Sequence, residues 1–438
     1  MNTNEKYKLA DLIIEHAKKS GAEQVSVSIE DNRSIDIEIR DQKIDSLKES
    51  NQSNLTISIF ADKKYSSHST NRMKKEELLP FIDEAIIATR YLAEDEFRSL
   101  PEPDLYYKGE GPELNIYDPG LDNVDTKAKI GIANQALNEA YKKDDRIISV
   151  SSYYSDGISN RVMVTSNGFK GDTASSWISL NVSVSVKSDS GRPSDYWNEN
   201  ALFFDKLEKS DIGKKALERT LNKIGPKKIA SGKYPVIIEN RVARNMCGPI
   251  FQSLQGRSLY QKQSFLADKK DKPVAASILT VYDDPLINSG FGSQLFDGEG
   301  LAAVRRPVIE KGVLKNYYIN NYYGKKLGMK LTSGSSSNII FDTGSRGMDE
   351  MISSMKRGVL ITGFIGGNCN GSTGDFSYGI EGFLIENGKK VHPVNEMNIS
   401  GNMNEFWFKL TEVGNDVVEN SSFKTPSLMF EKVDLSGI

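Results

Sequence analysis

Histidine is scarce in this chain of 438 residues: His16, His68 and His392 are the only three, and they lie far apart. No pair stands at helical spacing, so the usual zinc-hydrolase design cannot be written from one local motif. Cysteine is scarcer still, with Cys247 and Cys369 alone. Two thiols fit a reducing compartment better than a disulfide framework. No run approaches the ~18 apolar residues of a membrane span. The N-terminal stretch "MNTNEKYKLADLIIEHAKKSG" lacks the apolar core of a signal peptide, and the expectation is a cytoplasmic protein. A net charge of −3 gives no whole-chain basis for binding nucleic acid.

What is present is ordinary folded-protein composition, at a length that predicts two domains. Leu9, Leu12, Ile13, His16 and Ala17 share one face of a helix that Gly21 stops. "QVSVSIED", "SIDIEIRD" and "NLTISIFAD" (24–31, 34–41 and 54–62) alternate with period two and predict three strands. Helices are predicted over 74–93, with Pro80 awkward unless it lies in the first turn, and over 126–143. Asp156-Gly157 and Asn167-Gly168 are hairpin signals. "WISLNVSVSVKS" predicts a strand, and 209–223 a helix. The polar linker "GPKKIASGKYP" places a domain boundary near residue 225. The fold class expected is α+β: a sheet-and-helix domain over 1–225, then a β-rich domain over 226–438.

The second half is richer in glycine, with strands predicted in "ASILTVYD", "AAVRRPVIE", "VLKNYYIN", "VLITGFIG", "GFLIEN" and "KKVHPV". Two hairpins echo each other, each with Ile-Glu-x-Gly at its turn. "SSSNIIFDTGS" and "GGNCNGSTGDFSYG" (335–345 and 366–379) are expected as loops. The second lacks the Lys-Ser/Thr ending of a phosphate loop. "ADKKDKP" (267–273) is a solvated basic turn.

"RNMCGPIFQSLQGRSLY" (244–260) follows a strand and predicts a helix ending at Gly256, with Met246, Ile250 and Leu254 at helical spacing. Cys247 within it is either a nucleophile or ligand, or a buried inert thiol; no base is identifiable beside it, which favours the second. Cys369 and His392 could meet in space as a cysteine-hydrolase dyad, an arrangement the sequence permits without indicating.

The segments Phe291–Gly328, Ser372–Asn402 and "VGND" (Val413–Asp416) together resemble the TldD/PmbA family, named as candidate modulators of DNA gyrase. The resemblance implies a metallopeptidase of two related subunits. In the TldD type, His-Glu-x-x-x-His and a later cysteine hold zinc, and the Glu takes a proton from zinc-bound water. Matching "LQG" (254–256) to the family's Leu-Glu-Gly sets Cys247 at the first His, Gly248 at the Glu and Gln252 at the second His. Arg257 then replaces an acidic residue, Pro249 removes a helix amide, and "NSSFKTPSL" (420–428) has no cysteine.

The resemblance is therefore to the PmbA/TldE type. Its implications are no cofactor in this chain, zinc in a TldD-like partner, and peptides or unfolded polypeptides as substrate, with no direct contact to nucleic acid or membrane. Asn368, Thr373, Asp375, Phe376, Ser377 and Tyr378 are the expected wall of a peptide cleft. Two other readings stand beside it: a non-enzymatic peptide-binding regulator linked to DNA gyrase, and a self-sufficient cysteine hydrolase.

Overall fold

In the computed structural model, which describes residues 1–189 and 191–437, the first half is one antiparallel sheet with four helices on a single face. Its elements are α1 (Thr3–Lys19), β1 (Gln24–Arg40), β2 (Lys43–Ala61), β3 (Lys64–Thr70), α2 (Lys75–Thr89), α3 (Thr126–Asn138), β4 (Ile147–Thr165), β5 (Lys170–Val186), β6 (Ser194–Ala201) and α4 (Ile212–Asn222). The strand order is β3-β2-β1-β4-β5-β6.

The pattern of β1 explains how four helices share one face. Val25, Val27 and Ile29 are buried beneath α1 and α2, whereas Ile35, Ile37 and Ile39 are buried beneath α3 and α4. Strand side chains alternate between faces, so these residues form one continuous inward row. Asp31 and Arg33 interrupt it at the gap between the helix pairs. The buried Lys6 of α1 reaches Asp31 at 2.9 Å, and Arg33 pairs with Asp122.

Several expected elements merge or move. The first two alternating segments are one strand, β1. Asp156-Gly157 makes no turn: β4 runs straight through it, because Asp156 is claimed by a buried ion pair with Lys129 of α3 at 2.6 Å and by the Tyr154 hydroxyl at 2.8 Å. Gly157 makes room for Trp177, whose Nε1 would lie 2.6 Å from an added Cβ. Asn167-Gly168 does turn the chain, with Gly168 at φ 111°. Pro80 lies beyond the first turn of α2, on its exposed side, where the carbonyl it leaves unpaired can reach water.

The second half comprises β7 (Gly232–Ile238), α5 (Asn240–Ser253), α6 (Gly256–Tyr260), β8 (Val281–Asp283), β9 (Arg306–Glu310), β10 (Val313–Leu314), α7 (Asn321–Leu327), β11 (Ile339–Phe341), α8 (Met348–Ser354), β12 (Arg357–Cys369), β13 (Asp375–Glu386), β14 (Lys389–Asn402), α9 (Met403–Phe406), β15 (Leu410–Val413), β16 (Phe423–Lys424) and β17 (Leu428–Ser436). One sheet runs β14-β13-β12-β7-β17-β15, and β14 also pairs with β17 through Asn398 and Ser436, so five of its strands close into a ring. A smaller sheet runs β10-β9-β8-β11-β16. The architecture is α+β with a β-rich second half.

The echoing turns are alike in conformation as well as sequence. Lys311-Gly312 and Asn387-Gly388 all have positive φ, as a two-residue hairpin loop of the I′ type requires. The strands expected in "ASILTVYD" and "VLKNYYIN" shrink to β8 and β10. Most of the expected loop 366–379 is strand instead, because β12 and β13 extend through it to a tight tip.

Candidate active site

α5 leaves β7 directly and is fixed at its start by the C-terminal segment. Thr425 Oγ1 donates to the Asn240 carbonyl at 2.7 Å, and Asn240 Nδ2 donates to the Asp416 carbonyl at 2.5 Å. The Asp416 carboxylate accepts from Ser427 Oγ at 2.7 Å. Phe423 meets Phe251 edge-on with ring centres 4.8 Å apart. The stretch 420–428 thus lies alongside α5, joined to it by hydrogen bonds and an aromatic pair.

On the helix itself the three motif positions diverge. Cys247 is 1% exposed, in an apolar cluster with Val236, Ile238, Met246 and Ile250. Burial pushes its thiol far up from the ordinary range. Gly248 is half-buried and carries no side chain, while Gln252 is exposed. Residues five apart on a regular helix point about 140° from each other, and α5 is regular through both.

The tip of the β12–β13 hairpin docks just beyond α6: Phe265 N donates to the Gly371 carbonyl at 2.8 Å. Within the tip, Asp375 accepts from Thr373 Oγ1 at 2.7 Å and Asn402 Nδ2 at 2.8 Å, which hold its carboxyl below the ordinary range. Phe376 points into the core, edge-on to Phe406 at 5.3 Å, and offers nothing to a cleft. Tyr378 is half-buried against Phe364. Asn368 and Ser377 are exposed and directly paired across the hairpin.

The proposed cysteine–histidine dyad does not form. Cys369 pairs with Phe376 and His392 with Leu384, eight residues further along β13, which separates them by roughly 25 Å at the rise of a strand. The Cys369 thiol is pushed up to about 11 by burial and then by Asp375. Each histidine has its own local partner: His16 with Asp83, His68 with Ser66, and His392 with the Pro393 carbonyl. Among the described residues no three His, Cys, Asp or Glu side chains are grouped to hold a metal ion.

Residues 25–89 match PmbA/TldA metallopeptidase domain 1, residues 119–224 match the central domain, and residues 231–437 match the C-terminal domain. The chain belongs to the PmbA/TldD family. A crystal structure from Bacteroides thetaiotaomicron, named as a candidate modulator of DNA gyrase, shares 43% identity over the whole of both chains with a TM-score of 0.98. The Metalloprotease PmbA homolog of Haemophilus influenzae is 28% identical over 97% of this chain and 94% of its own length. TldE from Thermococcus kodakarensis, at 20% identity and a TM-score of 0.88 over 98% of this chain and 100% of its own, shares the fold.

For a metallopeptidase family the question is whether these residues fit zinc. They do not: a thiol enclosed in the apolar core, a glycine and an outward-facing amide offer neither converging ligands nor a base.

A buried polar cluster in the smaller sheet was not singled out by sequence. Asp283 of β8 accepts from Ser337 N at 2.9 Å and from the Ser337 hydroxyl, and Arg306 Nε stands 3.8 Å from its other oxygen. Burial raises the carboxyls of Asp283 and Asp297. Beside them Asn338 accepts from Gly292 N at 2.7 Å and donates to Ser293 Oγ at 2.9 Å. These bonds fasten loop 290–297, one wall of a cleft of about 900 Å³ between the two halves. The serine-rich stretch 335–345 was visible as a signal, but its partners lie some fifty residues away.

Proposed function

We propose that this chain is the metal-free subunit of a two-subunit metallopeptidase acting on peptides and unfolded polypeptides. A TldD-like partner carrying His-Glu-x-x-x-His brings the zinc and the general base. This chain contributes an interface and part of the wall around the substrate, with Asn368 and Ser377 side by side on the exposed hairpin. The observation that carries the reading is the arrangement on α5: Cys247 buried in the apolar core, Gly248 without a side chain, and Gln252 facing solvent. Two free thiols support a reducing compartment; among the described residues no helix is long and apolar enough to cross a membrane.

The test is elemental analysis of the purified chain, alone and after co-expression with a His-Glu-x-x-x-His partner. No stoichiometric zinc is expected alone and about one per heterodimer, since that partner brings three ligands. Cleavage of an unfolded polypeptide should require both chains. Stoichiometric zinc, or cleavage, in the isolated chain would overturn the reading. A second reading, a regulator linked to DNA gyrase, follows from the name of the Bacteroides relative. It gains if the mixture cleaves no unfolded polypeptide.

A further inference from the structure

β5 is longer than its outer neighbour. β6 pairs with it only from Ile178 to Ser185, and β4 pairs with it back to Lys170 without a break in register from Val150 onward. The direction of each backbone group can be read from its partners. Thr165 N donates to the Phe169 carbonyl at 3.0 Å, so odd-numbered positions of β5 face β4. Val186 N donates to the Pro193 carbonyl at 3.0 Å and Ser176 N to the Ile116 carbonyl at 2.9 Å, so even-numbered positions face the other way. By the alternation of a strand, the N–H and C=O of Asp172 and Ala174 face outward too. β6 has ended at Ala201, and among the described residues no other segment bonds to these backbone groups.

This open stretch borders the 900 Å³ cleft, within the range of ligand sites. Arg161, Trp177, Phe291 and Asp297 line the same space, with the strap 111–117 across it. Exposed strand edges are normally blunted by proline, lysine or a bulge. Here Asp172–Ser175 contains no proline, lysine or register shift, and it lies in a cleft whose facing loop the Asn338 bonds secure.

We propose that an extended polypeptide enters this cleft as an added strand on β5, hydrogen-bonded to Asp172 and Ala174. Two outward residues spaced two apart match the donor–acceptor repeat of a peptide backbone, which gives affinity with little side-chain selectivity. Arg161 is countered by the carboxylates of Glu30 and Asp297, so the cleft presents no positive field for a phosphate chain. The proposal rests on the peptidase reading for the chemistry of its guest, and not on where zinc is held.

The experiment uses the full chain alone, without metal, and a fluorescein-labelled hexapeptide of serine, valine and alanine followed by fluorescence anisotropy. Saturable binding is expected. Ala174→Pro deletes one outward N–H and leaves the bonds to β4, since proline is tolerated on an edge; it should weaken binding at least about 10-fold. Hydrogen exchange on the wild-type chain provides a measurement independent of any variant: saturating peptide should slow the amides of Asp172 and Ala174 at least about 10-fold. Lack of saturable binding, unchanged affinity in a folded Ala174→Pro chain, or unaltered exchange at both amides would each overturn the proposal. Failure of the two-subunit reading would show as absent cleavage on mixing and would leave these single-chain measurements as they are.

Discussion

Arg219 of α4 donates both terminal nitrogens to the carboxylate of Glu239, at 2.7 and 3.0 Å, across the seam between the N-terminal sheet's last helix and the start of α5. Its Nε lies 3.2 Å from Asp195, which Lys223 also approaches at 3.1 Å. Both carboxylates are buried. Arg219→Met leaves two buried charges short of a partner and should cost about 3–5 kcal/mol. Arg219→Lys should recover only part of that, because an ammonium cannot make the paired contact. Urea denaturation of the three proteins checks the order.

A second buried pair allows a sharper comparison. Lys129 is fully buried against Asp156. Lys129→Met alone should destabilise by about 3–5 kcal/mol, since the carboxylate is stranded. Adding Asp156→Asn removes the charge while keeping an acceptor for the Tyr154 hydroxyl, and should restore at least about half of the loss. A double-mutant cycle on denaturation midpoints measures the coupling.

Glu299 sets a pH dependence. Burial pushes its carboxyl from the ordinary 4.5 up to about 7, although Asn321 N donates to it at 2.9 Å. The folded chain therefore holds this proton more tightly than the unfolded chain does. The contribution to stability is fully present below pH 4.5 and is lost as pH rises through about 7. Glu299→Gln keeps the acceptor and cannot ionise. It should match the wild type near pH 4.5 and exceed it at pH 8 by at most about 3 kcal/mol. Chemical denaturation at both pH values decides.

The thiols should be quiet. With Cys369 pushed up to about 11, its thiolate fraction at pH 8 is small, and iodoacetamide should modify it at least about 100-fold more slowly than free cysteine. Cys247, at 1% exposed, should react only after unfolding. Mass spectrometry of a timed alkylation checks both, and a fast-reacting Cys247 would refute its place in the core.

Periodicity made the strands of the first half legible, because one face of each is covered and the other is not. Turn chemistry was less reliable. Asp156-Gly157 carries the usual hairpin residues yet lies mid-strand, because its aspartate is needed by Lys129. Asp41-Gln42 and Asp62-Lys63, which no glycine marks, take positive φ at every position and turn the chain. Tertiary demand decided all three, and dipeptide preference is too weak to resist it. In the second half, the glycines at 366, 367 and 374 suggested a loop where their positive φ values sit at irregularities and the tip of a hairpin.

The residues around α5 were legible in identity but not in direction. Helical spacing alone separates Cys247 from Gln252 by angle; which of them faces the core depends on where β7 and β12 lie. The cleft was hidden for a related reason. Its walls come from five separate places along the chain, and its open strand edge exists only because β6 is shorter than β5.

The length of β1 has one more outcome. A single strand feeds both helix pairs, so one residue inserted between Asp31 and Arg33 would turn Ile35, Ile37 and Ile39 to the opposite face, away from α3 and α4. Insertions and deletions are barred from the middle of this sheet and confined to its hairpin ends. The two helix layers, though separate in contact, can drift in evolution only as one unit.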